Sequence, residues 1–235
     1  MMPEAALVLF SGGQDSTTCL AWALERFSHV ETVGFDYRQR HTVELSARPR
    51  ILSHIRAEFR DWSQALGADH VLPLELLAAI GGSTLTWGQQ PNEDASHSQG
   101  LPATFVPGRN ILFLAAAAAL AWRRGIRNLV GGMCETDFSG YPDCRRQTID
   151  AVSHALDLGM DAHFEIHTPL MWIDKAETWA LAEQLGGRKF IQLIIDETIT
   201  CYAGDLSCKH DWGYGCNSCA ACELRARGYE RYISR

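Results

Sequence analysis

Residues Ser11-Gly12-Gly13-Gln14-Asp15-Ser16 are the part of this chain best suited to holding phosphate. Two adjacent glycines let the backbone turn tightly and expose its N–H groups, and a helix starting just after them presents the positive end of its dipole. Ser11, Ser16, Thr17 and Thr18 add hydroxyl donors. Asp15 is the odd member, because a carboxylate beside phosphates must either cap the helix or bind Mg2+. A Walker loop would end in Gly-Lys-Ser or Gly-Lys-Thr, and here no lysine waits for a γ-phosphate. Attack at the α-phosphate fits better, with transfer of AMP and release of pyrophosphate.

A second chemistry-bearing group closes the chain. Cys216-x-x-Cys219-x-x-Cys222 puts three thiols on a tight turn, a spacing that suits metal thiolates far better than packing. A closed tetrahedral zinc site needs one more ligand, and Cys201, Cys208 and His210 all lie upstream; spacing does not choose between them. The same triplet suits an iron–sulfur cluster. Cys19, Cys134 and Cys144 are scattered and read as small buried hydrophobes. Clustering of this kind in a reducing compartment points to metal, not to disulfides.

These residues need a frame, and hydrophobic periodicity supplies one. Residues 6–10 read as a strand, 16–27 as a helix, 30–36 as a strand and 43–66 as a helical stretch that Pro49 kinks or restarts. Strands are expected at 69–74, 128–132 and 164–168, and helices at 145–158 and 175–185. The βαβα rhythm predicts an α/β fold, a mostly parallel sheet with helices on both faces. The phosphate loop follows the first strand, where open α/β sheets bind ligands. Residues 81–104 have no periodicity and are expected to form a lid over the site, with a disordered insertion as the plainer reading. The chain divides into an α/β ATP-binding domain at 1–200 and a cysteine-rich zinc-binding tail at 201–235.

A formal charge of -7 gives little help in holding a long nucleic-acid backbone, so a small-molecule substrate is expected and nucleic acid is not. Arg38 with Arg40, and Arg145 with Arg146, leave room for a local anion site. The apolar run at 111–122 is too short to span a bilayer, which takes roughly 20 residues, and reads as a buried helix. The first residues lack the pattern of a signal peptide, so a cytoplasmic protein with no membrane partner is expected.

The motifs taken together carry a resemblance that runs nearly end to end. They are Phe10-Ser11-Gly12-Gly13-Gln14-Asp15-Ser16-Thr17-Thr18-Cys19-Leu20; Gln39-Arg40-His41 with Glu44-Leu45; Phe105-Val106-Pro107-Gly108-Arg109-Asn110; Asp137-Phe138-Ser139-Gly140-Tyr141-Pro142-Asp143-Cys144-Arg145; Thr168-Pro169-Leu170-Met171; and the final cysteines. The first resembles the PP-loop of the ATP pyrophosphatases. The set resembles the 7-cyano-7-deazaguanine synthases of queuosine biosynthesis within that superfamily. The resemblance implies an adenine nucleotide alpha-hydrolase-like, Rossmann-like fold. It also implies ligation of 7-carboxy-7-deazaguanine to ammonia: one ATP adenylates the acid, ammonia gives the amide, and a second ATP activates the amide before collapse to the nitrile. ATP with Mg2+ as co-substrate, one Zn2+ per chain and a homodimer go with it, and Cys201 becomes the fourth zinc ligand.

On this reading residues 10–20 hold ATP, Arg109 neutralises the leaving pyrophosphate with Asp15 and Mg2+, and His41 moves protons. A guanine edge offers adjacent N–H donors to one carboxylate, and a substrate carboxylate suits an arginine fork, roles given to Asp143 and Arg145. Gln39 and Arg40 join them as substrate-binding residues. An N-cap aspartate with a surface arginine is the plainer reading of Asp143 and Arg145, and a helix cap that of Asn110. Two departures stand out: Arg38 and Asn217 occupy positions where the family commonly has glycine. The rival functions are a tRNA-thiolating PP-loop enzyme, which predicts a basic surface and a redox-active cysteine, and a nonenzymatic nucleotide-binding zinc module, which predicts ATP binding without turnover.

Overall fold

The structure is a computed structural model that describes residues 5–38, 43–80, 101, 104–136 and 140–235. Five parallel strands form one sheet: β1 (Ala6–Leu9), β2 (Val30–Asp36), β3 (Leu66–Pro73), β4 (Asn128–Val130) and β5 (Glu165–His167), in the order β3-β2-β1-β4-β5. Ala6, Leu7 and Val8 of β1 pair with Val30, Glu31 and Thr32 on one side and with Asn128, Leu129 and Val130 on the other. The chain therefore reverses its direction of travel across the sheet between β1 and β4. That switch point leaves a crevice at the carboxyl ends of both strands.

Alternation along β1 assigns its side chains to two apolar layers. Ala6 and Val8 belong to a cluster with Leu20 and Ala21 of α1 (Gln14–Leu24), Ile51 and Ile55 of α2 (Val43–Glu58), Trp62 of α3 (Arg60–Ala65), and Trp179 and Phe190 of α7 (Lys175–Glu197). Leu7 faces the other cluster, with Leu114 and Ala118 of α5 (Arg109–Arg124) and Ile149 of α6 (Arg146–Met160). The alanine run brings α5 close to the sheet: Ala117, Ala118 and Ala121 have no exposed surface. Helices thus cover both faces, as the βαβα rhythm predicts.

Several element bounds differ from the sequence expectation. Pro49 sits inside α2 without ending it, and the break falls at Phe59, whose φ of -123° and ψ of 86° leave the helical region. The helix expected at 175–185 is followed by a second helical stretch, joined to it at Gly187 with φ 65°, that runs on to Glu197. A short helix, α4 (Glu75–Ile80), follows β3, and the tail carries a two-stranded ribbon, β6 (Lys209–His210) and β7 (Gly213–Tyr214), before α8 (Ala220–Ile233). Most of the expected lid lies outside the described residues. No described helix is long and apolar enough to cross a membrane.

Candidate active site

The phosphate loop sits where β1 ends. Its conformation is set by close packing on both sides. Gly12 has φ +93°, and a Cβ there would stand 2.7 Å from the Glu44 carbonyl of α2, so only glycine fits. On the opposite side the backbone N–H of Ile199 donates to the Gly12 carbonyl at 3.3 Å. Gly13 is the N-cap of α1, which presents its first turn to the crevice. Within the loop, Ser16 Oγ accepts from the N–H groups of Ser11 and Gly12, both at 3.2 Å, and donates to the Gly13 carbonyl at 3.1 Å. Thr17 and Thr18 turn their hydroxyls back onto the Gly13 and Gln14 carbonyls. Phe10, Cys19 and Leu20 are core residues that frame the loop from behind. The Gln14 side chain is buried without a hydrogen-bond partner among the described residues.

Asp15 does not cap α1; no side-chain cap bond is made there. Its two carboxylate oxygens instead accept from the Lys175 ammonium, at 2.9 and 2.8 Å. Lys175 is the first residue of α7, and its side chain is 10% exposed. Asp174 fixes that helix start with a full capping box, accepting from the backbone N–H groups of Ala176 and Glu177 while Glu177 accepts from its own. Lys175 is a candidate site residue that motif reading missed. A signal was present: a cation at a helix N-terminus opposes the dipole, so a lysine there calls for another reason. Gly132, just past β4, packs on Asp15 from across the switch point; a Cβ at Gly132 would lie 3.4 Å from that of Asp15.

A second group of polar side chains gathers around Arg109. Gly108, with φ 71°, caps α5 and leads into Arg109 and Asn110. Asn110 is not the cap residue. Its backbone N–H donates to Asp143 Oδ2 at 2.9 Å, and its side-chain amide reaches Cys144 Sγ at 3.2 Å. Asp143 is 5% exposed and closes the start of α5 from the short turn Pro142–Cys144. Burial alone would lower the Arg109 pKa, but Tyr37, Asp143 and Tyr141 outweigh it and hold the guanidinium firmly charged. Burial pushes the Glu44 carboxyl up to about 7, against the pull of Arg109. Burial likewise raises the Tyr37 and Tyr202 phenols.

The structure therefore brings Arg109 and Asp143 together, and adds Tyr37, Glu44, Tyr141 and Tyr202. Arg145 is not with them; it is the exposed N-cap residue of α6. Gln39, Arg40 and His41 lie outside the described residues, as does the 137–139 part of the motif around Asp143.

The tail supplies a group of cysteines that could hold a metal ion. The Sγ atoms of Cys201, Cys216, Cys219 and Cys222 all lie within 4.8 Å of one another, with 4.0 Å between Cys216 and Cys222. Four thiolates at about 2.3 Å from one tetrahedral ion stand roughly 3.8 Å apart, so this set fits a single metal ion. A multi-iron cluster would hold its thiolates farther apart. Cys201 is the fourth cysteine of this group, while Cys208 is exposed. Asn217, between the first two triplet cysteines, has φ 56°, and Arg38 has φ 53°. Both departures from glycine fall at left-handed positions, which is why glycine suits them.

Buried Arg225 of α8 ties the tail to α7. Its guanidinium donates to the carbonyls of Trp212 at 2.9 Å and Ile194 at 3.0 Å, and to Thr200 Oγ1 at 2.9 Å. Next to Cys201, Tyr202 stands near Tyr141 and Arg109, whose charges act on its phenol, so the cysteine group adjoins the Arg109 cluster.

The family model described as "Queuosine biosynthesis protein QueC" matches residues 5–233. A 7-cyano-7-deazaguanine synthase of Methylorubrum extorquens is 58% identical over 229 residues, covering 97% of this chain and 93% of the relative. One of Burkholderia thailandensis is 58% identical over 230 residues, covering 98% and 93%. Among solved structures, a 4-thiouridine synthetase in complex with RNA and ATP aligns with a TM-score of 0.52 at 18% identity. That alignment covers 99% of this chain and 54% of the other, and shows a shared fold. With nearly its whole length matched by the family model and by relatives of this identity, the chain belongs to the QueC family of queuosine biosynthesis proteins.

Proposed function

We propose that this chain is an ATP-dependent carbon–nitrogen ligase of the cytoplasm that converts 7-carboxy-7-deazaguanine and ammonia to 7-cyano-7-deazaguanine, working as a homodimer with one structural zinc per chain. The observation that carries the reading is the phosphate loop at the β1/β4 switch point, with Asp15 gripping Lys175 on one side and the Arg109 cluster packed through Glu44 on the other. Family membership supports the substrate. Backbone N–H groups of the loop and the first turn of α1 cradle the triphosphate, and Lys175 and Arg109 neutralise the pyrophosphate as it departs. Magnesium would sit against Asp15 and supply further charge neutralisation.

The carboxylate of the substrate attacks the α-phosphorus, and pyrophosphate leaves. Ammonia then displaces AMP from the acyl carbon. The amide oxygen attacks the α-phosphorus of a second ATP and a second pyrophosphate leaves; loss of AMP and two protons then gives the nitrile. Tyr37, Tyr141, Tyr202 and Asp143 shape the base-binding wall, although one Asp143 oxygen is already committed to the start of α5. Arg145, Gln39 and Arg40 complete substrate binding, and His41 assists proton transfer. Zinc fits the four-thiolate set and acts as a staple.

The test is direct. Purified protein with Mg-ATP, ammonium and 7-carboxy-7-deazaguanine is expected to form the nitrile, followed by mass spectrometry. Intact acid alongside a working control synthase would overturn the reading.

A further inference from the structure

Arg225 of α8 has no exposed side-chain surface, and its hydrogen bonds among the described residues all go to neutral acceptors. Taking a guanidinium out of water is costly when no carboxylate compensates it, and a brace between two helices does not require a charge. The group is held in one place. Nε donates to the Trp212 carbonyl at 2.9 Å and Nη2 to that of Ile194 at 3.0 Å. The Trp179 and Trp212 rings flank it, with centroids 5.5 and 5.9 Å from Cζ, and a Cβ at Gly213 would stand 2.7 Å from Nη2. The remaining nitrogen, Nη1, donates to the Thr198 carbonyl at 3.4 Å and to Thr200 Oγ1 at 2.9 Å.

Thr198 and Thr200 are the two chain neighbours of Ile199. Ile199 clasps the phosphate loop: its N–H donates to the Gly12 carbonyl at 3.3 Å, and its own carbonyl oxygen would lie 3.3 Å from a Cβ at Gly13. The Gly12 carbonyl and the Gly13 N–H belong to one planar trans peptide and point opposite ways. Holding the carbonyl against Ile199 therefore turns the Gly13 N–H away from it, toward the exposed Ser11, whose Oγ lies 3.3 Å off. We propose, resting on the reading of residues 11–16 as the ATP phosphate loop, that Arg225 is a positioning residue for ATP. By pinning Thr198 and Thr200 it fixes Ile199, and through Ile199 it sets the orientation of the Gly12–Gly13 peptide for the phosphates. The arginine acts through Ile199 and not by contact with ATP.

The test uses the full chain with its metal content measured. Arg225→Gln is expected to raise KM for ATP, and Kd for Mg-ATP by calorimetry, about tenfold. Its kcat should stay within about threefold, and KM for 7-carboxy-7-deazaguanine within about twofold. A merely structural role would lower the folded fraction, reducing the rate at every substrate concentration and leaving both KM values in place. Thr200→Val removes one of the two flanking bonds and is expected to raise the ATP KM about threefold, whereas Thr200→Ser, which keeps the hydroxyl, should match wild type. That pair carries the test if Arg225→Gln fails to fold or loses its metal. An unchanged ATP KM, equal rises for ATP and the acid, or Thr200→Ser as impaired as Thr200→Val would overturn the proposal. A wild-type chain that does not bind Mg-ATP would overturn the phosphate-loop reading itself, so the two failures are distinguishable.

Discussion

Asp15 and Lys175 are 160 positions apart and meet in one bidentate ion pair, and the contact explains why each is where it is. An aspartate in the first turn of α1 gains from the helix dipole, whereas a lysine in the first turn of α7 opposes one. The lysine therefore needs its partner, and the pair stands where phosphate charge must be managed. Asp15→Asn is expected to lower turnover by about 100-fold while costing only about 1 kcal/mol of stability, measured by AMP release and by denaturant unfolding. Comparable loss of both would return Asp15 to a structural role. The loop itself was legible in the sequence because glycines, hydroxyls and a following helix sit side by side. Lys175 was not, because the meeting of two distant helix starts is a property of the fold. Asn217 adds a smaller case. Its φ of 56° predicts that Asn217→Gly is nearly neutral, while Asn217→Ala costs about 1 kcal/mol and weakens metal retention, read by thermal melting with metal analysis.

At the level of elements, strand positions were read closely because buried parallel strands form short apolar runs, whereas helix ends were not. Pro49 looked like a break but is carried through α2 by the packing of Ile51, Leu52 and Ile55. Conversely, nothing local marks Phe59 as the place where α2 gives way to α3. A polar cluster at the amino end of the sheet escaped sequence reading for the same reason. Glu31 of β2, with a side chain 3% exposed, accepts from Arg124 of α5 and pairs with His70 of β3 and with His29. Burial would raise its carboxyl, but Arg124, His70 and His29 outweigh burial and hold it down to about 2. The folded pKa lies below the unfolded one, so the stabilisation is fully present above the unfolded value of about 4.5 and is lost as pH falls toward 2. Glu31→Gln should remove about 2–3 kcal/mol at pH 6 and little at pH 2, which urea unfolding at the two pH values would check. An equal loss at both would contradict the assignment.

Across the whole molecule, the tail is structurally continuous with the ATP-binding body. Cys201, Cys222 and Trp212 belong to the same buried cluster as Phe190 and Ile194 of α7, and Arg225 stitches the two together through backbone carbonyls. The cysteine spacing in the sequence pointed to a metal site, but it could not show that α8 docks on α7 or that Tyr202, next to Cys201, stands near Tyr141 and Arg109. Losing the metal should therefore be felt at the active site as well as in the tail. Cys219→Ser is expected to lose about one zinc per chain and upwards of about 3 kcal/mol of stability in a single transition, tested by metal analysis and calorimetry. A separate low-temperature transition for the tail would contradict this coupling.

The central claim is that the phosphate loop transfers AMP to a carboxylate. It is tested most directly with 7-carboxy-7-deazaguanine labelled with 18O in both carboxyl oxygens, following the nucleotide products by mass spectrometry and 31P NMR. The account predicts AMP and pyrophosphate, with one 18O from the substrate in the phosphate of each AMP released on the way to the nitrile. ADP and orthophosphate, or AMP without the label, would contradict it.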